Sequence, residues 1–218
     1  MQPFLNAYPV QNGAELGSDL AQYNASYSNP SSLNAYSIRI DQIINSKINF
    51  FGRYNYSSSD LSQRGPFFSS TPVLSMTESV SSSLHTLTLG LNQIIAPRIV
   101  NEVRANYSNQ RIGTKYNLDN FGGAAPLPDS LLFPAGYSVK NAAFTLSLPG
   151  PGNYQQGKNA ANEQRQVNLI DNLSITKGSQ ALKFGMDYRW LSPISSPYAY
   201  NQLAIFAGMT CSMPACSG

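Results

Sequence analysis

Few side chains in this chain of 218 residues have the types and spacing that chemistry needs. The run Gly152-Asn153-Tyr154-Gln155-Gln156-Gly157-Lys158-Asn159 falls one residue short of a phosphate-cradling loop, whose last position supplies a hydroxyl to magnesium. Asn159 stands in that position, and no helix clearly follows, so a nucleotide-binding enzyme would rest on one degraded motif. The single histidine, His85, leaves a Ser/His/Asp relay or a zinc centre without its parts. It sits at the loop end of a strand pattern, as a surface or interfacial residue. Cys211 and Cys216 suit a local disulfide in an oxidising compartment and are too few for a metal site. The acids show no pair spaced to share a cleft. These residues predict no enzyme and no cofactor.

A different set of polar residues recurs with order. Arg39, Asp41, Arg53, Glu102, Arg104, Lys183, Asp187 and Arg189 each alternate with apolar neighbours, which places them along one polar sheet face. That stripe reads either as ion pairs supporting the sheet or as a surface met by a passing solute. Tyr116, Tyr137 and Tyr154, in stretches read as loop, are candidates for ligand contact.

Three hairpins must hold this stripe. In the third, at about 164–191, alternating runs flank Gly178-Ser179, which suits a two-residue type II′ turn. Folding there sets Ile175 opposite Leu182, Leu173 opposite Phe184, Leu169 opposite Tyr188 and Val167 opposite Trp190. The other face pairs Ser174 with Lys183, Asn172 with Gly185, Ile170 with Asp187 and Asn168 with Arg189. A helical alternative exists for the first arm, since Val167, Ile170 and Leu173 are three apart, but the second arm alternates as a strand. The second hairpin, at about 84–109, turns at Pro97 and pairs Leu91 with Val103, Leu89 with Ala105, Leu87 with Tyr107, Asn92 with Glu102 and Gly90 with Arg104. The first, at about 35–57, is centred on Asn45, which predicts Ile40 opposite Phe50 and Tyr36 opposite Tyr54.

Each arm reaches the roughly 9–11 residues that a tilted strand needs to cross a bilayer. Aromatic residues lie far from each tight turn, as an interfacial girdle would. Asp171 breaks the pattern by falling on the apolar face opposite Met186. Either a bulge turns it inward, or its height lies outside the hydrocarbon zone, or the membrane reading fails.

Residues 1–34, 57–82, 109–163 and 191–218 read as loops, with a short strand available at Ala143 to Leu148. Short turns thus alternate with long connections, as periplasmic turns alternate with extracellular loops in outer-membrane barrels. Charged residues make up 11 % of the chain, against about 25 % in soluble domains. The net charge of +3 is scattered, which argues against nucleic acid as a partner. No apolar run reaches transmembrane-helix length. The start carries no basic region or long apolar core of a signal peptide, which suggests an internal portion of a longer chain.

The run from Asp171 to Arg189 resembles the barrel hairpins of TonB-dependent outer-membrane receptors, closest to the Oar-like group with a carboxypeptidase-regulatory-like domain. Lys47 to Ser57 and Pro97 to Ser108 resemble further strands of that group, and the likeness covers about residues 35–191. Nothing resembles the plug domain, the TonB box or the C-terminal aromatic strand, and six strands compare with about 22 in such transporters. The resemblance implies an all-β fold: an antiparallel up-and-down meander of about six strands forming part of a barrel wall in the bacterial outer membrane, with long loops. It implies outer-membrane lipid, the remaining barrel, a plug and, through the intact protein, the TonB system as partners. The cargo would be an unknown small nutrient or oligomer. The charged stripe would then line the lumen. The alternative is an extracellular β-sandwich or adhesion module binding glycans or proteins. Its apolar faces would pack on each other, and its Tyr and Trp residues would be scattered rather than held at one height.

Overall fold

The computed structural model describes residues 2–17, 20–65 and 73–206. Cys211 and Cys216 lie outside them. The elements are α1 (Gln2–Leu5), β1 (Glu15–Gly17), β2 (Leu20–Ala21), β3 (Ser31–Asn45), β4 (Ile48–Arg64), β5 (Met76–Ala96), β6 (Ile99–Leu118), a 3-10 turn (Phe121–Gly123), α2 (Asp129–Leu132), β7 (Ala142–Leu148), β8 (Gly152–Lys177), β9 (Gln180–Pro197) and β10 (Tyr200–Ile205). The chain is all-β. No helix among the described residues is long and apolar enough to cross a membrane, which leaves crossing by strands open.

β3, β4, β5, β6, β8 and β9 pair in that order as an antiparallel meander. The second and third hairpins adopt the register expected from sequence, pair for pair. Gly178 takes φ +60°, the left-handed region that the first position of a primed hairpin turn requires.

The first hairpin departs from expectation by two residues: Ile40 faces Gly52 and Tyr36 faces Tyr56. The turn is Ser46-Lys47, not one centred on Asn45, and Ile44 bulges out of the ladder just before it. The Asn45 Oδ1 accepts the Lys47 backbone N–H at 2.8 Å, which fixes this tighter turn. A shift of two preserves the faces, so the polar and apolar assignments survive it. The second hairpin has the same device, with Ile95 left out of the ladder before Pro97-Arg98.

The loops are shorter than the sequence suggests. β4 runs on to Arg64, β5 starts at Met76, β6 runs to Leu118 and β8 begins at Gly152. At 15 to 26 residues, the strands β3 to β6, β8 and β9 outreach the bilayer requirement. Beyond the last expected pairs, stretches such as Ser57 to Asp60 and Ser81 to Ser83 are polar on both faces, so alternation could not mark them as strand.

At the end away from the tight turns, β8 has two partners along one edge. β9 pairs with Ala160 to Lys177, and β7 with Gly152 to Gly157. β10, in the C-terminal stretch read as loop, then lies parallel to β7. The buried core sits at this distal end. Val73, Met76, Leu118, Leu127, Leu132, Phe144, Leu146 and Tyr154 pack together there, joined by Ala7 from the N-terminal segment. Among the described residues no such core covers the sheet between this cap and the turns. Ile38, Phe184 and Trp190 remain 61 %, 58 % and 53 % exposed on its apolar face. A sandwich would have covered them.

Candidate functional site

Unbroken register turns the sheet's polar face into rows. One row runs Arg39, Arg53, Thr88, Asn106, Asn168, Arg189 from β3 to β9. The next, toward the turns, runs Asp41, Phe51, Gly90, Arg104, Ile170, Asp187, and the third contains Asn92, Glu102 and Asn172. All eight charged residues of the stripe therefore share one face. The structure gathers Arg39, Asp41, Arg53 and Arg104 around one groove of about 560 Å³, with Glu102 beside Arg104. Lys183, Asp187 and Arg189 stand apart on β9.

Within the groove Arg39 and Arg104 are each held by a neighbouring acid. The Arg39 guanidinium donates to both Asp41 oxygens, Nε to Oδ2 at 2.7 Å and Nη2 to Oδ1 at 2.6 Å, a two-point geometry specific to arginine. Its Cζ also lies 4.1 Å from the centre of the Phe51 ring. That ring lies flat across Gly90 of the neighbouring strand, where a Cβ would sit 2.1 Å from the Phe51 Cε1. Arg104 pairs with Glu102, and Arg189 with Asp187 at 3.9 Å, each two residues along its own strand. The Asn168 amide also donates to Asp187. Six of the eight charges are therefore paired among the described residues, leaving Arg53 and Lys183 as the excess cations of the stripe.

The opposite face is apolar, with margins. Tyr54, Tyr107 and Trp190 lie in one row, Tyr188 in the row on the turn side, and Tyr36 and Tyr56 in the row on the distal side. All six rings thus fall within three adjacent rows, a band at one height. Tyr36 stacks on Tyr56 at 6.3 Å, and the Tyr54 hydroxyl meets the His85 Nδ1 at 2.8 Å, so His85 belongs to this band. Asp171 stays on the apolar face, paired with Val103 and Met186 and turned by no bulge. Gln42 lies in the same row, and Gln93 and Asn101 in the next row toward the turns. The apolar face is mixed here, since Phe50, Leu91 and Met186 share the Asp171 row and Leu173 and Phe184 lie one row nearer the turns, so the carboxylate stays on the apolar face with polar neighbours.

The distal cap holds a second opening of about 620 Å³, lined by Tyr8, Tyr23, Tyr27, Gln11, Gln22 and Asn24 among others. These residues lie in a segment whose sequence reads as loop, and no periodicity marks them. Of the tyrosines singled out from sequence, Tyr116 and Tyr154 are buried, at 4 % and 0 % exposure, and do not line the cleft. Tyr137 packs on Tyr200 at 4.8 Å. Burial raises the Tyr8 and Tyr154 hydroxyls above the ordinary tyrosine range. Residues 152–159 lie in β8, so they form no loop before a helix that could cradle phosphate. No three metal-ligating side chains cluster among the described residues.

A family model described as an outer membrane beta barrel domain matches residues 1–212. No curated protein matches the chain.

Proposed function

Because the chain belongs to the outer membrane beta barrel domain family, residing in the bacterial outer membrane with lipid around it, we propose that it forms part of the wall of a TonB-dependent receptor that takes up a nutrient. The observation that carries this reading is the two-faced sheet: exposed aliphatics bounded by an aromatic band on one side, and rows of paired charges on the other. In this role the polar face lines the lumen, and the Arg39–Arg53–Arg104 groove meets a plug or the passing solute. The distal cap, with its tyrosine- and amide-lined opening, supplies capture surface on the cell exterior. The role is one of transport and involves no bond-making chemistry or cofactor.

The resemblance of the three hairpins to such receptors supports the finer assignment. So does the pairing of charges, since a gated lumen calls for a wall that holds its own charges in place. The test is uptake by cells that carry the intact gene. Deleting it should abolish accumulation of one scarce solute, and collapsing the inner-membrane proton gradient should do the same in the undeleted strain. Solute entry that persists without the gradient would identify an open pore instead.

A further inference from the structure

The cleft in the distal cap has a chemistry unlike that of the charged groove. Its volume of about 620 Å³ falls within the roughly 300–1,000 Å³ of small-molecule sites. Among the described residues, none of the side chains that line it carries a charge. Pro9, Leu16 and Leu20 supply apolar surface, and amides and tyrosine hydroxyls supply the polar groups. The side-chain amides of Gln11, Gln22 and Asn24 make no hydrogen bond to the described residues, and neither do the Tyr23 and Tyr27 hydroxyls.

These groups are nevertheless held in place. β1 and β2 pair as a small antiparallel hairpin, and beyond it the Gln22 carbonyl accepts from the Asn12 and Gly13 amides at 3.2 and 3.0 Å. The Asn12 side chain donates to the Asn24 carbonyl and accepts the Asn24 N–H, both at 2.8 Å. Gly13 leaves room for two of the amides, since a Cβ there would lie 2.9 Å from both the Asn24 Nδ2 and the Gln22 Cβ. Tyr23 and Tyr27 stand edge-to-face with Phe121, at 6.2 and 6.4 Å. Phe121 is fixed in turn by its N–H to Asp119 at 3.0 Å and by the Arg64 guanidinium over its ring.

A side-chain amide both donates and accepts, as does a sugar hydroxyl. Rings and apolar side chains beside such amides suit a ligand with C–H faces and a rim of hydroxyls. An ionised ligand would lose water here with no counter-charge to replace it. The polar groups come from side chains and not from a free backbone ladder, which favours hydroxyls over a peptide strand. We propose that this cleft binds a neutral oligosaccharide and excludes acidic ones. The proposal rests on the reading above, in which the cap faces the cell exterior, and adds the class of ligand captured there. Tyr23 and Tyr27 take the sugar C–H faces, and Gln11, Gln22 and Asn24 take the hydroxyls.

The test is binding by the full-length protein, purified in a zwitterionic detergent that carries no sugar headgroup. The probe is a printed array of neutral oligosaccharides, oligosaccharides bearing uronic acids, and uncharged peptides. Neutral chains should bind, and uronic-acid chains should bind at least about tenfold more weakly. Gln22→Glu keeps the shape and adds a charge, and Tyr27→Ala removes a ring. Each should weaken the best neutral chain by about tenfold or more in calorimetry. Both residues are exposed, so both variants should keep the heat-modifiable migration of the unaltered protein. Lys47→Gln, in the β3–β4 turn at the other end of the sheet, should bind as the unaltered protein does. Binding is read without transport, so its failure is a separate result from a failure of gradient-driven uptake. No neutral chain held above blank, equal binding of uronic-acid chains, capture of peptides alone, or unchanged binding by Gln22→Glu and Tyr27→Ala would each overturn the proposal.

Discussion

Gly90 and Phe51 illustrate how one position constrains its neighbours. The ring fills the space a side chain would take, so Gly90→Ala forces Phe51 off the sheet and away from Arg39. A loss of about 1–3 kcal/mol is expected from such overpacking, read as a lower midpoint in urea. In Phe51→Ala the added methyl has nothing to meet, so the double variant should cost less than the sum of the two singles. Asp171 makes the opposite case. It sits where Gln42, Gln93 and Asn101 enter the lipid face, with one carboxylate oxygen unpartnered. Asp171→Leu should be neutral or stabilising by up to about 1 kcal/mol in lipid, as residues near the interface are. A clear loss of stability in the same urea titration would mean that the carboxylate has a partner in the membrane.

At the scale of elements, what the sequence reveals depends on whether one face is buried in something apolar. Leu169, Leu173, Phe184 and Trp190 face lipid while their neighbours face water, so the alternation is clean and the β8–β9 register can be read residue by residue. The β3–β4 register could not be fully read, because Ile43 and Ile44 are both apolar and nothing in their types says which one bulges. The distal cap was least legible. Its core joins Ala7, Val73 and Leu127, from segments far apart in the chain and each too short to show a period, to Phe144 of β7, the cap strand that sequence did offer.

That cap also makes a prediction about pH. Arg64 donates to both oxygens of Asp119, at 2.9 and 2.6 Å, while its guanidinium lies over the Phe121 ring. Partial burial pushes the Asp119 carboxyl up, but the Arg64 hydrogen bonds and the Phe121 amide outweigh it and hold it below its ordinary 3.8. A depressed carboxyl stabilises the folded cap above its unfolded value and loses that contribution as pH falls through the depressed one. Amide exchange around residues 119–123 should therefore quicken below about pH 4 relative to the strands. Arg64→Gln should already exchange fast at neutral pH and lose the acid step.

Seen whole, the sheet is open. Among the described residues β3 pairs only with β4, and β9 only with β8, so each presents an unpaired edge. Unsatisfied backbone groups cannot face hydrocarbon, so in the membrane both edges must meet further strands. The 218-residue chain expressed alone should not yield a heat-modifiable monomer in detergent. Oligomers or aggregates are expected on unheated gels, and a discrete fast-migrating monomer would show that these strands close on themselves.

The ring resting on Gly90 has a consequence at this scale as well. Two neighbouring strands can slide past each other by two residues without exchanging faces, so burial alone does not forbid it. Sliding β5 along β4 would bring Thr88 or Asn92 under Phe51, and neither leaves room for the ring. The glycine is a keyway that the ring fits at one setting only. Because the stagger summed around a closed cylinder fixes its girth, this fit sets one increment of the bore of the finished barrel.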